Sequence, residues 1–442
     1  MANDYRRFNY EPYVYRTTNY GKTWKRIVDS SDVQSYALAI LEDSENPNLM
    51  FLGTDDGLYV SINAGEDWSK WTHEFPTVST KDLMIHPREQ DLVIGTFGRA
   101  AWVLDDIRPL RAVAKNAEIL KQEVALFEPP IAYQAAYQQP TGSRFGADAM
   151  YQGENRRSGA MITYYLNPSE IKEKVADKKE ENTKSEATDS KKSKKDSIFF
   201  NFYDGDRLIR TLSYKKPKKA GFHRIYWRMD EKGADYPSRT IRKNNRERGG
   251  MSVLPGTYKI ELTYGDQKYA TSIEVKSDPR IEVKRSDLEE VYTYAKDLQS
   301  SIQKAADAVK QLIESKNIAD KIAADLKKID ETANKDLIES SEKISKKIEN
   351  LVAEFIGKVD KRQGITRNPE VTVMQRLNLA NSYVQSRKTG INDNELRLIN
   401  FAKSALNITL GEVNGFFKED WRTYRDQFDV ATLSPFKEVN IF

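Results

Sequence analysis

Residues 17–24 read TTNYGKTW, and residues 61–68 repeat the pattern as SINAGEDW, with the turn glycines 44 positions apart. A second element keeps the same phase, because FLGT at 51–54 returns as VIGT at 93–96, 42 positions later. Short strands and turn residues that recur every 40–45 residues are typical of the blades of a β-propeller. The first quarter of the chain is therefore predicted to hold about two and a half blades.

The two repeated turns share the pattern (Ser/Thr)-x-Asn-x-Gly-x-(Thr/Asp)-Trp. The glycine supplies a positive φ, and the Asn side chain is suited to hydrogen-bonding the turn backbone. The Trp is expected to pack beneath the hairpin and fix it to the blade. These properties resemble an Asp-box (BNR repeat) with Asn in the usual Asp position. The predicted structural residues are Thr17, Asn19, Gly21, Trp24, Ser61, Asn63, Gly65 and Trp68.

Composition excludes several classes of function. The chain has 442 residues, enough for about three domains. It has no cysteine, which rules out disulfides, thiol nucleophiles and Cys-ligated zinc. The three histidines show no metal spacing, so no metal or cofactor is predicted. A net charge of +4 gives no nucleic-acid signature, and no apolar run approaches the roughly 20 residues that span a bilayer.

The pattern along the chain predicts a multidomain protein, mainly β and then α. Residues 1–110 are assigned to terminal propeller blades. Residues 111–280 show short alternating strands and hairpin turns, which predict an immunoglobulin-like β-sandwich. The predicted strands are 160–166, 198–203, 208–214, 222–227, 256–264 and 269–275. A charged insertion at 168–196 lacks aromatic residues and is predicted to be disordered, and 238–250 is a basic loop.

The period changes to that of a helix in residues 281–442, which predict an antiparallel helical bundle. Ser286 to Glu289 read as a capping box that opens the first helix. A second helical stretch is predicted at about 318–356. Asn368-Pro369 is predicted to open a third helix, and Asn392 a fourth that extends to about 417.

Two longer stretches carry a resemblance to a family. Residues 82–106 include DLMIHP and DLVIGTFGRAAWVLDD and resemble the closing blade of bacterial sortilin-like propeller proteins, often labelled glycosyl hydrolases. Residues 254–280 are similar to the sandwich and linker that follow that propeller. The chain departs from the family in its two Asn-for-Asp turns, in Phe97 where His is frequent, and in the charged insertion. The resemblance implies the C-terminal portion of such a protein, with the early blades missing.

The resemblance also implies a location and three candidate functions. Family members are usually exported, so a periplasmic, outer-membrane-associated or extracellular location is expected, although residues 1–10 lack a signal peptide. The leading function is a non-catalytic protein- or peptide-binding or scaffold component of the cell envelope. One alternative is a glycan-active hydrolase whose catalytic residues lie in the missing blades. Another is a subunit that completes a split propeller with blades from another chain or an upstream segment.

A few residues are candidates for direct ligand contact, and none is assigned as catalytic. Arg99, between Gly98 and Ala100, is placed to bind a carboxylate in the propeller channel or to form a structural ion pair. Glycoside hydrolysis needs two carboxylates about 5–10 Å apart. The acid pairs at 55–56 and 105–106 follow strands, but Asp55 and Asp56 also read as a turn, and 105–106 as an exit loop.

The basic loop, with its arginines between 239 and 248, either contacts an anionic partner or is a solvated insertion. It has no interleaved aromatic residue for base stacking. The resemblance implies a protein or peptide ligand, with a glycan as the alternative, and a nucleic acid is not expected.

Overall fold

The structure is a computed structural model, and five stretches of the chain are described. These are residues 1–135, 156–167, 197–241, 247–359 and 371–430.

The chain divides into two compact units. The first comprises Met1–Met229 and Pro255–Pro279, and the second comprises Asp230–Leu254 and Arg280–Phe442. The first unit is built mainly of β-sheets and the second mainly of helices. The segment between residues 230 and 254 thus belongs to the helical unit, although it lies in sequence between two strands of the β-rich unit. The finer division into three domains stays a prediction.

Three small antiparallel sheets form the N-terminal part of the first unit, and each strand pairs with its neighbour in sequence. This up-and-down order is that of a propeller blade. The first sheet holds β1 (Ala2–Asp4), β2 (Asn9–Arg16) and β3 (Lys25–Val28). The second holds β4 (Ala37–Glu42), β5 (Met50–Thr54), β6 (Gly57–Ser61) and β7 (Ser69–Lys70). The third holds β8 (Thr80–Ile85), β9 (Leu92–Thr96) and β10 (Ala101–Leu104).

The second sheet is covered on both faces, which is visible in β5. All five residues of this strand are buried. Phe51 packs into a core shared with Leu83, Leu92 and Ile94 of the third sheet. Its neighbours on either side, Met50 and Leu52, pack into a separate core shared with the first sheet. Because successive side chains of a strand point to opposite faces, a continuous apolar run is what a strand between two sheets requires.

Helix α1 (Arg108–Lys115) follows the third sheet and ties it to the second by a buried ion pair. Arg111 donates from Nε and Nη2 to the two carboxylate oxygens of Asp43, each at 2.6 Å. The Asp43 side chain has no exposed surface, and Arg111 also reaches Glu45 at 2.9 Å. A planar guanidinium matches a carboxylate in this bidentate geometry, so the pair fixes the exit of the chain from the third sheet.

Two further sheets complete the first unit. The strands of the first are, in order across the sheet, β11 (Val124–Leu126), β13 (Ala160–Leu166) and β16 (Gly221–Trp227). Those of the second are β12 (Ala132–Gln134), β20 (Gln267–Ser277), β19 (Gly256–Tyr264), β14 (Ser197–Asp204) and β15 (Arg207–Lys215). In these two sheets only β12 runs parallel to its neighbour, β20. Strands β17 (Asp230–Lys232) and β18 (Gly249–Ser252) pair with each other in the helical unit.

Aromatic side chains hold these two sheets face to face. Phe202 of β14 stacks on Trp227 of β16, with ring centroids 4.4 Å apart. Tyr164 of β13 meets Phe200 of β14 edge-on at 5.4 Å. Both geometries are favourable for aromatic pairs. The observed strands match those expected from the alternating pattern, whereas the immunoglobulin-like topology stays a prediction.

In its described residues, the helical unit has one long helix and four shorter ones that share an apolar core. Lys316 pairs with Glu349 at 3.2 Å and Lys327 with Glu342 at 2.7 Å, so the first two helices run antiparallel. Buried residues of the core include Leu298, Ile302, Val309, Leu312, Ile348, Phe355, Leu377 and Leu406. The helices are α2 (Arg285–Asp330), α3 (Lys335–Ile356), α4 (Val373–Ser386), α5 (Asp393–Lys418) and α6 (Asp420–Val430).

Two predictions about helix ends are wrong. The capping residue of α2 is Lys284, with no side-chain cap, and Ser286 already lies within the helix. The break that was expected near residue 317 falls at 331–334, because Ala319, Ala323 and Leu326 continue the buried stripe. The predicted start at Asn392 is confirmed by a capping box with Glu395. The proposed cap at Asn368-Pro369 lies outside the described residues.

The buried ion pair yields a stability prediction. Arg111→Gln leaves the Asp43 carboxylate buried without its cation and should destabilise the first unit by about 3 kcal/mol. Lys121→Gln breaks an exposed pair with Glu118 and should change stability by less than about 0.5 kcal/mol. Hydrogen exchange of peptides covering residues 37–54 measures both. Equal protection in the two variants would contradict a structural role for the buried pair.

Candidate functional site

The two repeated turns have the same hydrogen-bond network. The amide of Gly21 donates to Thr17 Oγ1 at 2.8 Å, and that of Gly65 donates to Ser61 Oγ at 2.9 Å. The Asn carbonyl oxygen then accepts the amide four residues on, at 2.9 Å in the first turn and 3.0 Å in the second. Both glycines have φ of +85°, a backbone conformation that glycine adopts without a steric penalty.

The asparagines use their amide group in a way that aspartate cannot. Asn63 Nδ2 donates to the Asp67 carboxylate at 2.7 Å, and Asn19 Nδ2 donates to Thr23 Oγ1 at 2.8 Å. Aspartate at position 63 would place a second carboxylate against Asp67, and like charges at that distance repel. This contact gives a physical reason for asparagine in the second turn.

Trp68 fastens the second turn to the first sheet. Its side chain is only 8% exposed, and its indole Nε1 donates to the backbone carbonyl of Ile27 in β3 at 2.9 Å. Gly65 lies against the same residue, since a Cβ there would come within 3.1 Å of Ile27 Cδ1. The outer turn of one blade therefore packs on the outer strand of the preceding blade.

Trp24 is the equivalent residue of the first turn, and its surroundings are open. Its side chain is 61% exposed, and Tyr20 at the tip of the turn is fully exposed. Within the described part of the chain, the Trp24 indole makes no hydrogen bond. The first turn is thus built like the second, but among the described residues no strand packs beneath its tryptophan.

The third sheet also has an uncovered apolar face. Met84, Val93 and Val103 lie opposite one another on β8, β9 and β10, in one row across the sheet. Met84 is 59% and Val103 is 56% exposed. The other face of the same sheet carries buried residues such as Leu83 and Ile94, which belong to the core. This sheet is therefore apolar on both faces and packed on one.

Asp55 and Asp56 are held in the turn between β5 and β6. The carboxylate of Asp56 accepts hydrogen bonds from Thr54 Oγ1 at 2.6 Å and Lys70 Nζ at 2.7 Å. Burial raises its pKa, but the hydrogen bonds from Lys70 and Thr54 outweigh burial, and the pKa lies below its usual value. The backbone amide of Asp55 donates to the carbonyl of Tyr36 at 3.3 Å, and burial together with the Asp55 carboxylate raises the pKa of the Tyr36 hydroxyl. Both acids have partners that stabilise the hairpin.

The acids at 105 and 106 also have a structural setting, at the exit of the chain from the third sheet. Asp106 is 2% exposed and pairs with Arg108 Nε at 2.9 Å. Burial raises the pKa of both carboxyl groups above the usual value. Arg224 of β16 donates from Nη2 to the backbone carbonyls of Asp105 and Asp106, the latter at 3.1 Å, and from Nε to Thr163 Oγ1 at 3.2 Å. This arginine joins the exit of the third sheet to the sheet that contains β16.

Arg99 lies on the surface. Its side chain is exposed, and its backbone carbonyl accepts a hydrogen bond from Trp102 Nε1 at 2.9 Å. Among the described residues, no acidic side chain lies within ion-pair distance of its guanidinium. Its role as a ligand contact stays a prediction.

A groove of about 630 Å³ lies along β16. In the described sheets β16 pairs only with β13, and β15 pairs only with β14, so each is an edge strand. The basic side chains that line the groove are Arg157, Lys215, His223, Arg224 and Arg228. Its aromatic walls are Tyr164, Tyr214 and Tyr226.

The groove was not predicted from the sequence, although a signal exists. Residues 207–228 contain eight Lys or Arg and no Asp or Glu, a bias that indicates a basic surface. In the basic loop, Arg239 donates to the backbone carbonyl of Gly357, and Arg248 lies over the ring of Tyr236 at 5.3 Å. Part of the loop lies outside the described residues.

The described residues hold no group of three or more His, Asp or Glu side chains placed to bind a metal ion. Within the same stretches, no helix is long and apolar enough to cross a membrane.

Residues 12–107 match the family model Sortilin-Vps10, described as sortilin, neurotensin receptor 3. The matched segment begins within β2 and extends past the end of β10, and it supports a sortilin-like propeller in this part of the chain. It is less than a quarter of the chain. No curated protein matches the sequence.

One of the solved structures that match resembles the chain only weakly. It is the extracellular domain of a protein described as a one component system, from B. thetaiotaomicron. The sequences are 12% identical over 60% of this chain and 28% of that structure, with a TM-score of 0.17. The chain thus spans less than a third of that structure, and a likeness of this size carries no argument about fold or function.

The two tryptophans provide a matched pair of substitutions. Trp68→Ala removes a buried ring and its hydrogen bond to β3 and should destabilise the contact between the first two sheets by about 3 kcal/mol. Trp24→Ala removes a largely exposed ring and should cost less than about 1 kcal/mol. Hydrogen exchange of a peptide covering Lys25–Val28 reports the difference. The same protection in both variants would show that Trp68 does not fasten the blades.

Buried tyrosines predict an alkaline transition. Burial, with smaller effects of neighbouring side chains, raises the pKa of Tyr36, Tyr59 and Tyr164 from 10.0 to about 12. The folded state therefore favours the neutral phenol, and this stabilisation is present below pH 10 and lost as the pH rises towards 12. Absorbance at 295 nm should show a late-titrating class of tyrosines that shrinks in Tyr59→Phe. A single transition near pH 10 in the folded protein would contradict the prediction.

Proposed function

We propose that this chain is a non-catalytic, protein-binding component of a larger sortilin-like propeller. The repeated turns act as Asp-boxes, each of which fastens a blade to the outer strand of the blade before it. The observation that carries the proposal is the contrast between Trp68, buried against Ile27, and Trp24, which is 61% exposed in an otherwise identical turn.

The partner of Trp24 is defined by the contact that Trp68 already makes. It is an outer strand that offers a free backbone carbonyl and a β-branched side chain in the position of Ile27. Such a strand belongs to a further propeller blade, on another chain or on an upstream segment of the same protein. The exposed row of Met84, Val93 and Val103 supports the same view, because exposed apolar sheet faces mark sites of protein contact.

The candidate acids favour binding over hydrolysis. Asp56 is engaged by Lys70 and Thr54, and Asp106 is buried against Arg108. A glycosidase needs one carboxyl group free to donate a proton and another free to attack or activate water. Each of these acids instead stabilises a turn or a chain exit. An exported location at the cell envelope fits the sortilin-like segment and forms part of the proposal.

A site-specific cross-link tests the proposal. The protein is produced in its native source with p-benzoylphenylalanine in place of Trp24, irradiated, and the cross-linked peptides are sequenced. We expect a cross-link to a strand that directly follows a (Ser/Thr)-x-(Asp/Asn)-x-Gly turn, as β3 follows residues 17–24. Reaction within one polypeptide or between two distinguishes an upstream segment from a second subunit.

The matched control carries the same photoreactive residue in place of Lys115, which is exposed on α1. This position should give no cross-link to a propeller strand. If position 24 reacts no more than position 115, or reacts only with chains that lack such turns, the proposed partner of Trp24 is wrong.

A further inference from the structure

Among the described residues, β16 has no strand on its second edge, and this edge forms a surface separate from the propeller faces. The stretch from His223 to Arg228 spans about 16 Å at the rise of an extended strand. An edge strand presents unpaired backbone amide and carbonyl groups, which need hydrogen-bond partners. The groove along this edge leaves room for an additional strand of five or six residues.

The charges around the edge have one sign. Arg157, Lys215 and Arg228 are exposed at the groove, and none forms an ion pair within the described residues. The whole stretch 207–228, which supplies β15 and β16, lacks acidic residues. Cations placed this way repel the equivalent edge of a second copy, and they attract a strand that carries carboxylates.

Side-chain contacts hold the walls of the groove in place. His223 lies directly opposite Tyr164 on the neighbouring strand, with ring centroids 5.4 Å apart. Arg224 on the other face of β16 is held by Thr163 and by the carbonyls of the propeller exit. Arg157 lies over the ring of Tyr226 at 5.8 Å. An edge held in this way lowers the ordering cost when a peptide binds.

We propose that β16 binds an extended acidic peptide, which joins the sheet as an added strand while its carboxylates pair with Arg157, Lys215 and Arg228. Main-chain hydrogen bonds to the edge supply affinity, and the cations select for acidic side chains, as in other cases of strand addition. This site does not depend on the proposed completion of the propeller, so either proposal stands if the other fails.

Three fluorescein-labelled peptides test the site by anisotropy with the full 442-residue chain. The first alternates Glu and Thr over ten residues, the second replaces each Glu by Lys, and the third keeps the acidic sequence with methylated backbone nitrogens. The acidic peptide should bind, and its affinity should fall severalfold between 50 and 500 mM salt. The Lys peptide should not bind, and the methylated peptide should bind at least tenfold more weakly because it cannot donate to β16.

Charge variants locate the binding on the molecule. The triple variant Arg157→Gln, Lys215→Gln, Arg228→Gln should weaken the acidic peptide about tenfold, from three partly exposed ion pairs. The control Lys25→Gln, Lys81→Gln, Lys115→Gln removes the same number of exposed charges elsewhere in the first unit and should leave binding unchanged. Circular dichroism checks that both variants fold.

Several outcomes overturn the proposal. Absence of binding by the acidic peptide does so directly. Equal binding of the methylated peptide would show general ionic attraction without strand addition, and equal loss in the control variant would place the site elsewhere. Tighter binding of an oligonucleotide or of phosphatidylglycerol vesicles would make another anion the ligand of this groove.

Discussion

The hydrogen bond from the Trp68 indole to the carbonyl of Ile27 is the contact on which the propeller segment depends. A blade sheet is apolar on both faces, so it is stable only between neighbours. The second sheet meets this condition, with Phe51 packed to one side and Leu52 to the other. The outer turn adds a polar, directional contact to this packing, because the indole N–H is a single donor that needs an acceptor. Packing of the faces and fastening of the outer turns thus act together.

The same requirement accounts for the two ends of the described sheets. Among the described residues, Trp24 has the turn geometry of Trp68 but no strand beneath it, and the third sheet leaves Met84 and Val103 exposed. Both observations describe a blade face without a neighbour. The basic groove along β16 differs in kind, since its affinity would come from main-chain hydrogen bonds and charge. Arg224 connects the two regions physically, because it lies in the groove wall and also binds the carbonyls that follow the third sheet.

The sequence was sufficient for features that depend on local pattern. The 44-residue repeat gave the blades, and alternation gave β13 and β19 with both ends as observed. The start of α5 was found because Asn392 and Glu395 lie at the spacing of a capping box. Ser286 and Glu289 have the same spacing, but the helix begins one residue before the serine, so the same local signal failed there.

Features that depend on pairing order were beyond the sequence. The groove exists because β15 and β16, neighbours in sequence, are edge strands of different sheets, and no local pattern encodes that. The engagement of Asp56 by Lys70 and the burial of Asp106 against Arg108 likewise required the fold. Trp24 and Trp68 look equivalent in sequence, and only their burial tells them apart.

The proposed assembly requires that a strand cover Trp24 in the native protein, as β3 covers Trp68. Hydroxyl-radical oxidation, read by mass spectrometry at each tryptophan, measures this directly in the isolated 442-residue chain and in the protein purified under native conditions from its source. We expect Trp24 to react readily in the isolated chain and to be as protected as Trp68 in the native protein. Equal oxidation of Trp24 in both preparations would contradict it.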